Sequence, residues 1–179
     1  MFSGDYLKDC EILLEHIKDI NYATPTSRMK QFNIPKKIGG SVLYGYTWRS
    51  YISKKKDREY CDEMKRYKTT LHSERPELWN IFKQFRDKHF PGFKFSGVQL
   101  NKNYRILPHK DNANVGQSYL VVLGDYETGG RTIVETESTL KFYDGRKKPI
   151  TFDGSKYLHW VEQWQGGDRF SCVFFNDLK

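Results

Sequence analysis

The chain lacks any run of about 18 apolar residues, the length a membrane-crossing helix needs. Its opening, Met1-Phe-Ser-Gly-Asp-Tyr6, lacks the basic-then-apolar order of a secretory signal. The expected location is therefore intracellular, with no address that separates nucleus from cytoplasm. Cysteine is scarce. Cys10, Cys61 and Cys172 stand far apart, are odd in number and form no C-x-x-C pair, which argues against a disulfide framework or a zinc cluster and for structural thiols. No internal repeat or low-complexity segment is present, so a solenoid or a disordered tract is not expected. Acidic residues are outnumbered, 22 against 30 Lys and Arg, for a formal net charge of +8. A surface of that sign attracts polyanions, which favours nucleic acid as a partner over a merely solvated basic surface.

A length of 179 residues suffices for one sizeable core and is short for two. With 12 Phe and 12 Tyr, that core should be rich in rings. Leu7, Cys10, Leu13, Leu14 and Ile17 recur at helical steps and predict a helix over 5–20. A loop follows to Lys37, then a strand-like run over 39–52 that alternates Tyr44, Tyr46 and Trp48. The polar stretch up to Thr70 reads as partly helical. Ser73, Glu74 and Pro76 open a second clear helix with the apolar stripe Leu78, Trp79, Ile81, Phe82 and Phe85, stopped by Pro91-Gly92.

From Phe93 onward the period switches to strands. They are expected at 95–100, 104–109, 118–123, 132–135, 140–143, 150–152, 157–161 and 170–175, with Gly129-Gly130, Asp144-Gly145, Asp153-Gly154 and Gly166-Gly167 as turns. Eight short strands after a helical start imply an α+β fold with a mainly β core. The expected architecture is a jelly-roll, cupin-like, double-stranded β-helix barrel. Residues 1–92 would supply supporting helices and a lid; 93–179 would be the core of one domain.

Within that frame His109-Lys110-Asp111 stands out. On a strand, positions i and i+2 share a face, so His109 and Asp111 can reach one metal ion. Alone, the triplet is also compatible with a satisfied core histidine and a turn-forming aspartate. His159 on the penultimate strand and Arg169 opening the last one add weight, because the second and seventh strands of such a barrel adjoin at its mouth. Two histidines and one carboxylate occupy one face of an iron(II) octahedron and leave three positions open. Arg169 could clamp a co-substrate carboxylate, with the Ser171 hydroxyl beside it on the same strand face.

The pattern His109-x-Asp111, His159 and Arg169-x-Ser171 resembles the iron(II)- and 2-oxoglutarate-dependent oxygenases. The run from His109 through Gly130, with Thr151 to His159 and Gly166-Gly-Asp-Arg-Phe-Ser171, is similar to their TET/JBP group, which oxidises the 5-methyl of pyrimidines in nucleic acid. The resemblance covers roughly 95–175. It implies an oxidoreductase, a dioxygenase using Fe(II), 2-oxoglutarate and O2, with His109, Asp111 and His159 on iron and Arg169 and Ser171 on the co-substrate. Asn114 falls where a base-contacting asparagine stands in that group, although the surrounding Asp-Asn-Ala-Asn-Val-Gly is also turn-rich. Asn101-Lys-Asn-Tyr104 departs from the N-x-Y of related AlkB-type enzymes and leaves Tyr104 or Asn103 to meet the co-substrate. Arg131 follows the Gly-Gly where an acidic residue is common.

Tyr46, Trp48 and Arg49, followed by Lys54, Lys55 and Lys56, are expected to stack a base and neutralise phosphates; an ordinary hairpin with a solvated lysine turn is the plainer alternative. The expected protein is thus a monomer acting on nucleic acid, DNA ahead of RNA, at 5-methylcytosine or thymine, and releasing succinate and CO2. The alternatives are an AlkB-type demethylase, a prolyl- or lysyl-type protein hydroxylase, and an inactive barrel that only binds.

Overall fold

In the computed structural model, residues 1–23, 39–47 and 59–177 are described. Asp5 caps the first helix, α1 (Tyr6–Ile17), by accepting from the Leu7 and Lys8 amides. The helix ends with its last periodic apolar residue, Ile17, short of the expected bound at residue 20. The Tyr22 hydroxyl donates to the Ile17 carbonyl at 3.0 Å, satisfying one of the acceptors that a helix end leaves open. Strand β1 (Gly40–Thr47) follows. The segment expected to be partly helical instead forms a hairpin of β2 (Tyr60–Cys61) and β3 (Arg66–Lys68). The Tyr60 and Tyr67 rings meet across it at 5.0 Å, and Tyr46 of β1 pairs with Lys68 of β3. Helices α2 (Thr70–Glu74) and α3 (Glu77–His89) complete the N-terminal part.

The remaining strands are β4 (Gly97–Lys102), β5 (Ser118–Gly124), β6 (Thr128–Gly129), β7 (Thr132–Glu135), β8 (Leu140–Tyr143), β9 (Ile150–Phe152), β10 (Leu158–Val161), β11 (Trp164–Gln165) and β12 (Arg169–Phe175). They form a large antiparallel sheet in the order β2-β3-β1-β4-β12-β5-β9, a smaller sheet β10-β7-β8, and a ribbon β11-β6. The expected strand over 104–109 is not a ladder strand. Asn103 adopts a left-handed φ of 49° directly after β4, and Pro108 has no amide to donate. The run stays extended and touches β10 only through the Val161 amide to Ile106 and a single bridge at His109.

Both faces of the large sheet are covered, which is why β12 reads as nearly continuous apolar sequence. On one face Phe170, Cys172 and Phe174 pack with Leu13 and Ile17 of α1 and with Leu78, Phe82 and Phe85 of α3. The rings of Phe82, Phe85 and Phe90 all approach Phe174 within 6.4 Å. On the other face Arg169, Ser171, Val173 and Phe175 look into a cavity of about 580 Å³ between the sheets. Cys10, Cys61 and Cys172 are free thiols, as the sequence implies. Among the described residues no helix is long and apolar enough to cross a membrane.

Candidate metal centre

His109 and His159 face each other across the bridge that joins the 104–109 run to β10. Each amide donates to the other's carbonyl, at 3.1 and 3.0 Å. Their side chains point the same way, with ring centroids 4.2 Å apart. Asp111, two residues on, closes the triangle: its Oδ1 lies 3.4 Å from His109 Nε2 and its Oδ2 3.6 Å from His159 Nε2. One donor atom from each of the three lies within 4.8 Å of the others. Cis ligands about 2.1 Å from a metal sit about 3 Å apart, so the triangle is a little wide of that size and facial in shape.

The tautomers are set locally. His109 Nδ1 lies 2.8 Å from the Leu107 carbonyl and His159 Nδ1 lies 3.0 Å from the Tyr157 carbonyl. A carbonyl only accepts, so each Nδ1 carries the proton and each Nε2 turns a lone pair toward the centre. Burial alone would raise the Asp111 pKa. With a proton on each Nε2 in place of that lone pair, the hydrogen bonds and charges of His109 and His159 outweigh it and hold the carboxyl well below the usual carboxylate range; a cation bound in the place of those protons would act on Asp111 in the same sense. The Asp111 amide donates to the Gly154 carbonyl at 2.8 Å. A Cβ on Gly154 would stand 3.1 Å from Asp111 Oδ2 and 3.3 Å from His159 Cε1, so glycine there leaves the ligands their room.

Arg169 enters the same cavity with only 2% of its surface exposed. Its amide is held by Asn103 Oδ1 and its Nε donates to the Gly130 carbonyl at 3.0 Å. Gly130 is required here: its φ is 70°, and a Cβ would fall 2.7 Å from the Tyr126 ring and 3.3 Å from the Arg169 side chain. The Arg169 Nη2 is buried without a partner among the described residues, and so is the Thr132 Oγ1 that also lines the cavity. Burial draws the Arg169 pKa down, while Tyr126 alongside acts in the opposite sense. Ser171 Oγ accepts from Asn101 Nδ2 at 3.1 Å, which leaves its proton free to donate. A buried cation with an orphan N–H, in a cavity that two hydroxyls also line, fits the carboxylate of a small acid.

The expected site residues divide clearly. His109, Asp111, His159, Arg169, Ser171, Tyr104 and Asn114 all line one cavity. Of the two candidates after Asn101, Tyr104 faces inward, while Asn103 turns away to bind Asp168 and the Arg169 backbone. Asn114 Nδ2 reaches both Asp111 Oδ2 and Ser118 Oγ at 3.4 Å, so it steadies the Asp111 carboxylate as well as facing the cavity. Tyr46 follows the plainer alternative and packs away from the cavity. It sits on the opposite face of β1, its ring against His72 at 4.9 Å and Trp79 at 5.1 Å, because positions 44 and 46 alternate with the cavity-facing 41, 43 and 47. Trp48, Arg49, Lys54, Lys55 and Lys56 lie outside the described residues. Arg131 points to the surface, paired through both nitrogens with Glu162 at 2.9 and 2.8 Å. Thr132, Gly154 and Asp177 were missed. Thr132 carries a readable signal, a hydroxyl that shares a strand face with Val134, whereas the other two depend on contacts across the fold.

No family model matches the chain, and no curated protein does. Solved structures do. NgTET1 in complex with 5mC DNA superposes with a TM-score of 0.54 at 15% identity, covering 96% of this chain and 88% of that one. A prolyl hydroxylase from Trichoplax adhaerens, in complex with a hypoxia inducible factor oxygen degradation domain peptide fragment, gives 0.50 at 10% identity, covering 96% and 78%. The fold is the double-stranded β-helix. Identities this low carry the architecture alone, so the chemistry rests on the residues.

Proposed function

We propose that this protein is an iron(II)- and 2-oxoglutarate-dependent dioxygenase that oxidises the 5-methyl group of a pyrimidine base in nucleic acid, DNA ahead of RNA. The observation that carries the reading is the pairing, in one cavity, of a facial His109–Asp111–His159 triangle with the buried, partnerless Nη2 of Arg169. The first fits a divalent metal bound through two imidazoles and a carboxylate; the second fits an anionic co-substrate. His109 Nε2, His159 Nε2 and one Asp111 oxygen would hold the iron. Arg169, Ser171 and Thr132 would hold the far carboxylate of 2-oxoglutarate, and Tyr104 would line its side. Bound iron with 2-oxoglutarate supplies oxidation of a C–H bond by O2, with succinate and CO2 as products.

The chain's own residues then orient and shield. The Leu107 and Tyr157 carbonyls fix the imidazoles. The Phe152 ring, 4.8 Å from that of His159, covers one side of the centre against water. Support for a nucleic-acid substrate comes from the net charge of +8, the Asn114 amide in the cavity, and the likeness of the fold to a DNA-bound neighbour. A protein hydroxylase is the second reading, because a peptide-bound prolyl hydroxylase shares the fold to nearly the same degree. The deciding assay incubates the protein with iron(II), ascorbate, 2-oxoglutarate and methylated DNA and RNA oligonucleotides, followed by nucleoside mass spectrometry. Hydroxymethyl, formyl or carboxyl pyrimidine is the expected product. Its absence, together with turnover of peptides, would overturn the substrate assignment.

A further inference from the structure

The inward face of β12 continues beyond the strand. Arg169, Ser171, Val173, Phe175 and then Asp177 all line the cavity. Eight residues of extended chain span roughly 25 Å, so Arg169 and Asp177 mark opposite ends. A five-carbon diacid held at Arg169 leaves most of that length for another molecule. The Asp177 end is built, not incidental. Asp177 is 7% exposed. The Ser96 hydroxyl donates to its Oδ1 at 2.6 Å, and its own amide donates back to Ser96 Oγ at 3.0 Å. Arg66 binds its carbonyl at 3.3 Å, with Nε 3.9 Å from Oδ1. Next to it, the Val115 amide donates to the Asn176 carbonyl at 2.7 Å, which pins the loop carrying Asn114 to this end of the cavity. Among the described residues nothing donates to Asp177 Oδ2.

We infer that Asp177 is a specificity residue: its free carboxylate oxygen accepts a hydrogen bond from the exocyclic amino group of a cytosine-type base. The inference rests on the reading of the site as a pyrimidine oxidase. An acceptor-only oxygen that opens onto the cavity disfavours carbonyls and further carboxylates and selects an N–H. Among pyrimidines, the 4-amino group at the ring corner suits it best, since the ring N–H of thymine lies between two carbonyls that would face the same carboxylate. A prolyl ring in a peptide offers no N–H at all. Asp177 therefore distinguishes 5-methylcytosine from thymine and either base from proline.

The test measures fluorescence anisotropy of single-stranded oligonucleotides on the full chain loaded with manganese(II) and 2-oxoglutarate. The oligonucleotides carry one 5-methylcytosine, one thymine, or one 5-methyl-2-pyrimidinone, which lacks only the amino group. Wild type should bind the 5-methylcytosine strand at least tenfold tighter than either of the others. Asp177→Asn keeps an oxygen for Ser96 and turns the cavity-facing acceptor into a donor, so it should erase that gap. The base-analogue comparison needs no variant and refutes the inference if the three strands bind equally; should Asp177→Asn fail to fold, Asp177→Ser takes its place and should erase the gap likewise. Equal binding of the three strands by wild type, or a full gap surviving in Asp177→Asn, would show Asp177 to be a structural anchor only. Loss of all oligonucleotide binding while 2-oxoglutarate still binds would overturn the nucleic-acid reading, and the role of Asp177 with it.

Discussion

Replacing Arg169 by methionine keeps the length of the side chain and removes its charge. In the empty cavity two effects oppose each other. The variant loses the Nε bond to the Gly130 carbonyl and leaves that acceptor unmet, a cost of about 1–3 kcal/mol. It also removes a buried, partnerless Nη2, whose desolvation costs a similar amount. Unliganded stability should therefore change by less than about 2 kcal/mol, at most about 4–8 °C in Tm for a chain of this size. Ligand response should change much more. At 2-oxoglutarate a hundredfold above its Kd, with manganese(II) in place of iron(II), wild type gains about 2.7 kcal/mol. That is roughly 5–11 °C in Tm. Losing a charge-assisted pair worth about 3 kcal/mol weakens binding roughly a hundredfold, which leaves only about 0.4 kcal/mol at the same concentration. The shift should then fall to about 1–2 °C. Differential scanning fluorimetry with and without 2-oxoglutarate reads both quantities. A full ligand shift in Arg169→Met would refute the assignment of the orphan guanidinium to the co-substrate.

Gly154→Ala would press a methyl against Asp111 Oδ2 and His159 Cε1, so metal titration should show affinity about 10–100-fold weaker with little change in apo Tm; unchanged affinity would mean that the contact is slack. His109→Ala and Asp111→Ala should each abolish oxidised product and 2-oxoglutarate turnover, read by succinate release; turnover surviving in both would overturn the metal site. Asp9 is fully buried and accepts from the Ser3 amide and hydroxyl, the Gly4 amide and His89 Nε2 at 2.7–2.9 Å. Burial would raise its pKa, but these bonds lower it, so its contribution is present above the unfolded value near 4 and is lost as pH falls through the folded one. Asp9→Asn should cost about 2–4 kcal/mol by urea unfolding at pH 7, and the gap should narrow only below about pH 4; a gap independent of pH would show that the charge is irrelevant. Phe85→Ala should cost about 3–5 kcal/mol in the same assay, because its ring packs at zero exposure against Phe2, Phe90 and Phe174.

Much of this protein was open to a reading of periodicity. The helical stripes of α1 and α3 and the short strands after Phe93 follow from where apolar residues recur, a local property of the chain. The ligand set was legible for a similar reason. His109 and Asp111 share a face by spacing alone, and Arg169 and Ser171 do the same on β12. The misreadings have physical sources. The hairpin of β2 and β3 reads as helical because its strands are short and polar, and they are held by β1 from elsewhere in the chain, with Tyr46 opposite Lys68 and Thr47 opposite Tyr67. Tyr46 looked like a base-stacking residue because alternation gives two faces without saying which one meets the helices.

What the sequence by itself determined is therefore the element types, the alternation along each strand, and the short-range pairs of chemically apt side chains. Only the tertiary structure decided that His159 stands opposite His109, that Gly154 makes room beside Asp111 and His159, and that Arg169 and Asp177 line one cavity. The reason is the range of the interactions. Periodicity records contacts within a few residues, whereas a buried guanidinium nitrogen without a partner, or a carboxylate with one free oxygen, exists only once distant segments have closed around it.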